Sequence, residues 1–492
     1  MARVVVVGAG VGGLAAAARL ASAGHRVTVC EQAARIGGKL GVHAARGYRF
    51  DTGPSLLTMP QVFCDLFTAT GGPLEESVDL LPVDPIARYR FPDGTRLDAT
   101  GDLDAFCAQL DSALGGGAGA DWRRFHARAR AIYEAVHGPF LSSALDGPLD
   151  LARKVVRVRD LATIAPWRTL RGLGADYLRD PRLRMFLDRY ATYTGSDPRR
   201  APAALATVPY VEQAFGAWYV RGGLGVLGEA IAVRAAERGA VVLTGADVVG
   251  VSTAGGRASG VTLASGERLP ADVVVANADA RHLYGDLVAD RRAGPARRRL
   301  RRATPSLSGF AVLLGVEGAT SGLAHHSVLF PADYDAEFDA LFGRDPRPVD
   351  DPTLYLSVPG DPAVAPAGHE AWFLLVNAPR QGQGDVDWTA PGVAEAYAEH
   401  LLALLAARGL DVRDRVRYRA VITPADLATR TRAEGGAIYG TSSNGRRAAF
   451  LRPANRSPVP GLFLVGGSAH PGGGLPLVAL SARIVAGLIG TA

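Results

Sequence analysis

The residues that offer chemistry gather first at the amino terminus. Gly8-Ala9-Gly10-Val11-Gly12-Gly13 follows a run of four valines at 4–7 and opens an alanine-rich stretch reaching about Ala23. Gly24 then stops that stretch, and a second apolar segment, 26–30, ends at Glu31. The spacing of Gly8, Gly10 and Gly13 permits a tight turn and lets the amides of a helix start approach a pyrophosphate. A carboxylate at the end of the following strand accepts hydrogen bonds from ribose hydroxyls, and its charge repels a 2′-phosphate, which disfavours NADP. A GxGxxG by itself is a weak signal. Here the strand before it, the helix after it and Glu31 supply the required context.

A second such run, Gly223-Leu224-Gly225-Val226-Leu227-Gly228, lacks that context. Only the short segment 217–220 precedes it, and Thr244 and Gly245 stand where the acid of a separate NAD site belongs. It reads better as a glycine turn into a helix that returns the chain to the nucleotide domain, with Asp247-Val248-Val249 passing the adenine end. No Ser/His/Asp or paired-carboxylate constellation is visible. His325-His326 would point to opposite faces of a strand, so a metal site is not expected. Cys30, Cys64 and Cys107 are widely spaced without a CxxC, which excludes a disulfide framework and fits a reducing, intracellular setting.

The elements that must position these residues belong to a chain of 492 residues, long enough for two domains with large cores. Apolar residues make up 48% and charged ones 21%, a globular balance that excludes disorder and coiled coil. The formal charge is +6, but Lys39 and Lys154 are the only lysines, so the basic side is arginine and reads as composition rather than a nucleic-acid footprint. The segment 4–7 reads as a buried parallel strand, and 4–31 as a βαβ unit. Helices follow between 60 and 215, for example 122–136, with a flexible-looking turn at 115–119. A helix over 224–238, a strand over 241–244, a hairpin after Gly255-Gly256 and buried strands at 272–276 and 462–465 complete the α/β material. The 4–18 and 457–482 stretches carry no charged residue (His470 being neutral), but glycines and prolines interrupt them. Neither a signal peptide nor a transmembrane helix is expected.

Beyond the first glycines, Glu31-x-x-x-Arg35-x-Gly37-Gly38-Lys39 resembles the extended fingerprint of flavoproteins in the FAD-dependent amine oxidase and phytoene desaturase superfamily. Phe50-Asp51-Thr52-Gly53-Pro54-Ser55 extends the match, as do Trp218-Tyr219-Val220-Arg221-Gly222-Gly223 and Asp272-Val273-Val274-Val275-Ala276-Asn277-Ala278. The final element runs from Pro460 through Gly466-Gly467-Ser468-Ala469-His470-Pro471-Gly472-Gly473-Gly474-Leu475-Pro476. Together these resemble the bacterial phytoene desaturase family over nearly the full length. The segment 435–440, with Phe450-Leu451-Arg452-Pro453, leans toward the hydroxycarotenoid 3,4-desaturase branch.

The resemblance implies an α/β fold: a Rossmann-like FAD-binding domain with an inserted α+β substrate domain. The first would be assembled from 1–55, 222–280 and 430–492. The second, membrane-proximal, would take 56–221 and 281–429. Implied cofactor contacts are Gly8, Gly10, Gly12, Gly13, Glu31, Arg35, Gly37, Gly38, Lys39, Gly53, Pro54, Ser55, Val248, Gly466, Gly467, His470, Leu475 and Pro476. A helix starting near Leu475 or Pro476 would turn its positive end to the flavin. His470 is either an aid to proton removal or a turn histidine bonded to backbone, and no catalytic residue is assigned.

The implied activity is desaturation of a carotenoid or other isoprenoid polyene, with quinone or oxygen as electron acceptor. The same fold also serves carotenoid isomerases and ketolases, amine and protoporphyrinogen oxidases, and non-catalytic isoprenoid-lipid carriers. Seven arginines within 291–302 form either a solvated helix face or a contact for anionic lipid. The resulting expectation is a cytoplasmic, peripherally membrane-associated flavoprotein that binds neither metal nor nucleic acid.

Overall fold

A computed structural model describes residues 1–145, 150, 158–445 and 452–492. Lys154, Phe450 and Leu451 lie outside the described residues. Five strands form a parallel sheet in the order Leu462–Leu464, Val273–Ala276, Arg3–Val7, Arg26–Cys30, Val241–Leu243. The valine run explains the central strand. Val4 and Val6 pack into one apolar layer and Val5 and Val7 into another, so both faces are buried, as a parallel sheet requires. Helices Val11–Ser22, Gly225–Glu237 and Leu475–Ile489 cover one face. The antiparallel ribbon Val248–Ala254, Arg257–Leu263, Arg268–Pro270 and the segment Leu283–Leu287 cover the other. Strand order reverses beside Arg3–Val7, and a crevice at the carboxyl ends of such strands is where an open α/β sheet takes its ligands.

A second sheet has seven strands in the order Val416–Ile422, Ser308–Glu317, His369–Ala378, Leu354–Ser357, His326–Leu329, Ala87–Arg90, Arg96–Ala99. Its pairs are antiparallel except His326–Leu329 with Ala87–Arg90. The long strand Ser308–Glu317 is buried on both faces. Val312, Leu314 and Val316 meet the helix Val393–Ala407, while Ala311 and Leu313 meet Tyr48 and Phe50 of the hairpin Val42–Ala45/Tyr48–Asp51. That hairpin leaves the nucleotide sheet and lands on the second one, tying the two together. A helical layer containing Leu103–Leu114, Ala118–Val136 and Pro181–Asp188 closes over Ala87–Arg90. The turn expected at 115–119 is shorter than read, because the helix already starts at Ala118, with Gly117 left-handed before it (φ 98°).

Candidate nucleotide and redox site

The turn after Arg3–Val7 is built by glycines for two separate reasons. Gly8 has φ 93°, in the region that side chains disfavour, and a Cβ on Gly13 would collide with the Gly8 carbonyl. Gly10 and Gly12 are needed because the side chain of Asn277 fills the space above them. A Cβ at Gly10 would stand 2.8 Å from Asn277 Nδ2, and one at Gly12 2.7 Å from Asn277 Oδ1. Gly37 meets Gly10 in a parallel bridge, its amide donating to the Ala9 carbonyl at 2.9 Å. Gly38 passes so close to Gly10 that a Cβ would sit 3.4 Å from its Cα.

Glu31 is 6% exposed, and its carboxylate accepts from the amides of Ala9 (2.7 Å) and Ala33 (2.9 Å). Each oxygen keeps a further lone pair for a ribose hydroxyl. The helix Val11–Ser22 has no side-chain cap and no acid in its first turn, so its N-terminal amides suit phosphate. The five-stranded sheet brings the far end of the chain to the same crevice. Gly466 has φ 102°, and a Cβ there would collide with Asn277 Oδ1, so one asparagine separates the two glycine turns. Leu475–Ile489 begins with Leu475 and Pro476, again without a side-chain cap or an acid in the first turn. The Gly467 carbonyl accepts from Arg452 Nη1 at 2.9 Å, which also reaches the Tyr439 carbonyl at 2.7 Å. Burial lowers the Arg452 pKa to about 10.

His470 is 1% exposed, with Nε2 2.9 Å from the Ser143 carbonyl and its ring edge-on to Phe140. Of its two readings, the geometry shows the bond to backbone. Lys39 turns from the glycine turn toward the carbonyls of Ala437 (3.0 Å) and Ile438. Burial lowers its pKa to about 8, against the pull of Asp279. Arg35 is exposed. A Cβ on Gly53 would run into the Lys39 carbonyl, which keeps Pro54 and Ser55 beside the turn that carries Lys39. The hydroxyl of Ser55 lies 2.6 Å from that of Tyr355. Val248, 4% exposed, opens its ribbon just after the Ala246 amide donates to the Glu31 carbonyl.

The second glycine run is accounted for. The amides of Leu224 and Gly225 both donate to the Asp51 carboxylate, at 2.7 and 2.9 Å. That helix start is already neutralised by the protein's own acid and seats no phosphate. The strand before it, Ala217–Val220, pairs antiparallel with Leu80–Val83, outside the nucleotide sheet.

One expectation is corrected. The rings of His325 and His326 are 4.4 Å apart rather than on opposite faces, because the strand starts only at His326. Among the described residues no three His, Cys, Asp or Glu side chains come together as metal ligands, and no helix is long and apolar enough to cross a membrane. Sequence reading missed Asn277 and Arg452 as site residues. The signal for Asn277 was its place at the carboxyl end of an all-valine strand, where side chains meet the ligand crevice.

Fold and site together define an α/β oxidoreductase that holds a dinucleotide across a parallel sheet and keeps a second, mixed sheet beside it. The flavin-containing amine oxidoreductase family matches residues 11–490, and the chain belongs to that family. Its cofactor is FAD, and the glycine cradle, Glu31 and the two uncapped helix starts fit that group. Relatives of nearly equal length include a 4,4'-diapolycopene oxygenase of Methylomonas sp, 35% identical over 98% of this chain and 97% of its own. A hydroxyneurosporene desaturase of Cereibacter sphaeroides is 35% identical over 98% and 96%. A carotenoid 3,4-desaturase of Haloarcula japonica is 34% identical over 97% and 96%. Among solved structures, cyclohexylamine oxidase from Brevibacterium oxydans shares the fold, with TM-score 0.61 and 18% identity over 99% of each chain.

Proposed function

We propose that this protein is an FAD-dependent carotenoid desaturase that removes two hydrogens from adjacent carbons of a long isoprenoid polyene, in the manner of phytoene or 1-hydroxycarotenoid 3,4-desaturases. The observation that carries the reading is full-length similarity to carotenoid-acting relatives, joined to a crevice that fits FAD. When bound, FAD supplies the two-electron oxidant, so that one hydrogen leaves carbon as hydride and the other as a proton, with quinone or oxygen taking the electrons onward.

The roles of the chain follow from position. Gly8, Gly10, Gly12 and Gly13 admit the pyrophosphate to the start of Val11–Ser22. Glu31 holds the ribose and Val248 borders the adenine. Gly37 and Gly38 keep the chain low against the cofactor, and Arg35 and Lys39 offset phosphate charge. Gly53, Pro54, Ser55, Gly466, Gly467, His470, Leu475 and Pro476 surround the flavin end. The start of Leu475–Ile489 directs its positive end there, which favours gain of electrons. The cofactor domain would comprise 1–55, 222–280 and 430–492, with 56–221 and 281–429 as the substrate domain. A water-insoluble substrate implies a cytoplasmic enzyme that works at a membrane surface, and the arginines of 291–302 suit anionic headgroups.

Co-expression with enzymes that make phytoene, neurosporene or 1-hydroxylated carotenoids, followed by pigment chromatography, tests the activity. New pigments two hydrogens lighter are expected, and none from any precursor would sink desaturation. Similarity to the Methylomonas 4,4'-diapolycopene oxygenase favours a second reading, addition of oxygen to a polyene. Mass spectrometry separates the two, since that reaction adds oxygen.

A further inference from the structure

One group of buried side chains has no part in the cofactor site. Arg189 is 7% exposed, and its guanidinium lies against the rings of Tyr89, Tyr193 and Tyr355, 5.7, 5.1 and 5.5 Å from their centroids. Its hydrogen bonds among the described residues both come from Nη1, to the hydroxyls of Tyr193 (2.9 Å) and Tyr89 (3.4 Å). Among the described residues no carboxylate stands within ion-pair distance of it. Glu212, 2% exposed, is taken up by the hydroxyls of Tyr190 (2.6 Å) and Tyr193 (3.1 Å), so Tyr193 relays between acid and base without letting them meet. The N–H groups on Nε and Nη2 are left without a partner among the described residues. Glu212 and the tyrosines hold the guanidinium charged from one hydroxyl away, which leaves donors on it that a ligand oxygen could use.

A second orphan lies alongside. His326 is 1% exposed, its Nδ1 is 2.8 Å from the Tyr355 hydroxyl, and its Nε2 has no partner. Burial first, then His325 and Arg189, lowers its pKa and keeps the ring neutral. Where the Tyr355 hydroxyl donates to Nδ1 the proton sits on Nε2, and where it accepts Nε2 keeps a lone pair; a ligand hydroxyl can meet either. Tyr355 joins this group to Ser55, which with Tyr219, Ser357 and the rings of Phe50 and Phe373 lines a small cavity of about 20 Å³.

The place of the cluster gives it a meaning. Arg189 opens the short helical segment Arg189–Thr194, and a Cβ on the next residue, Gly195, would stand 3.0 Å from the Tyr439 ring. Tyr439 in turn lies against Gly473 of the motif around the flavin end, and Ser55 stands two residues from Gly53, which packs on Lys39. Ser55 therefore touches this cluster directly, and Tyr439 meets the glycine that follows the segment opened by Arg189. A pure hydrocarbon offers no acceptor to a guanidinium or an imidazole N–H. Resting on the desaturase reading above, we propose that Arg189 and His326, held by Tyr193 and Tyr355, bind the oxygen of a polyene that carries a hydroxyl or carbonyl group at its end. They would make the protein select oxygenated polyenes over hydrocarbons, acting as specificity determinants for the desaturation.

The test pairs neurosporene with 1-hydroxyneurosporene, each presented in phosphatidylcholine vesicles to the FAD-loaded full-length protein. Wild type should favour the hydroxylated polyene in kcat/KM by about 10- to 100-fold, the range of hydrogen bonds to charged and buried donors. His326→Phe and Arg189→Met should bring that ratio down at least tenfold through KM rather than kcat. Flavin content and melting temperature would report that each variant is folded, and the wild-type ratio decides even where a variant is not. A wild-type ratio near one, or variants that weaken both substrates equally, would overturn the proposal. Binding of the two polyenes, read from shifts of their visible absorption, gives the same ratio without turnover. Preferential binding without desaturation of either would sink the desaturase reading and leave this site standing, while equal binding would sink the site.

Discussion

Glu31, buried, and Asp51, half-buried, are two carboxylates that each accept two backbone amides, yet they do different work. Glu31 accepts from Ala9 and Ala33 and retains lone pairs toward the crevice, so Glu31→Ala should weaken FAD retention by about 10- to 100-fold. Flavin absorbance per protein after gel filtration measures it, and full occupancy in the variant would mean that the ribose contact lies elsewhere. Asp51 spends its oxygens on Leu224 and Gly225, and burial, outweighing those bonds, raises its pKa to about 6. A raised native pKa means that the folded state holds the proton more tightly than the unfolded one. The stabilisation is complete below about pH 4 and is lost as pH rises through 6. Relative to Asp51→Asn, which cannot titrate, wild type should lose about 2 kcal/mol between pH 4 and pH 7. Urea unfolding at the two pH values checks this, and parallel profiles would remove Asp51 as the titrating group. The glycine turn at Gly8 and Gly10 and the place of Glu31 at the end of the second strand were legible in the sequence because their spacing is local. The asparagine that makes Gly10, Gly12 and Gly466 obligatory was not, since it follows a strand remote in sequence from all three.

Helix starts carry the argument at the scale of elements. Val11–Ser22 and Leu475–Ile489 begin uncapped at one crevice, whereas Gly225–Glu237 begins on Asp51. Two glycine runs of the same spacing thus diverge according to what neutralises the first turn. Asp51→Ala should cost about 1–2 kcal/mol through the lost cap, read as a lower urea midpoint for the holoenzyme. The helix Gly294–Arg302 gives a different forecast. Arg297 is spent on the carbonyls of Tyr284 and Val288, while Arg298, Arg301 and Arg302 are exposed and the helix carries no acid. If it meets anionic lipid, Arg298→Glu, Arg301→Glu and Arg302→Glu together should reduce flotation with phosphatidylserine vesicles by more than 100-fold, at about 1 kcal/mol per arginine. Flotation unchanged by these changes or by high salt would make the helix a solvated face. The exposure of those arginines was readable from their density. The diversion of Arg297 into the fold was not.

The whole molecule closes its cofactor sheet with segments from the beginning, middle and end of the chain, so FAD should act as a tie among them. At a free concentration 100 times Kd it should add about 2.7 kcal/mol to stability. Removal should lower the melting temperature and raise hydrogen exchange in Leu462–Leu464 and Leu475–Ile489 first, and no change in either would separate those segments from the site. The sequence alone determined the βαβ start, the flavin fingerprint, the buried strands near 4–7, 272–276 and 462–465 and the family resemblance, because each is written in residues close along the chain. Tertiary structure decided that Asn277 wedges apart the two glycine turns, that Asp51 disarms the second GxGxxG and that Arg189 and His326 stand together with unused hydrogen-bonding nitrogens. Those facts depend on contacts between residues remote in sequence, where periodicity and spacing carry no information about which partner arrives.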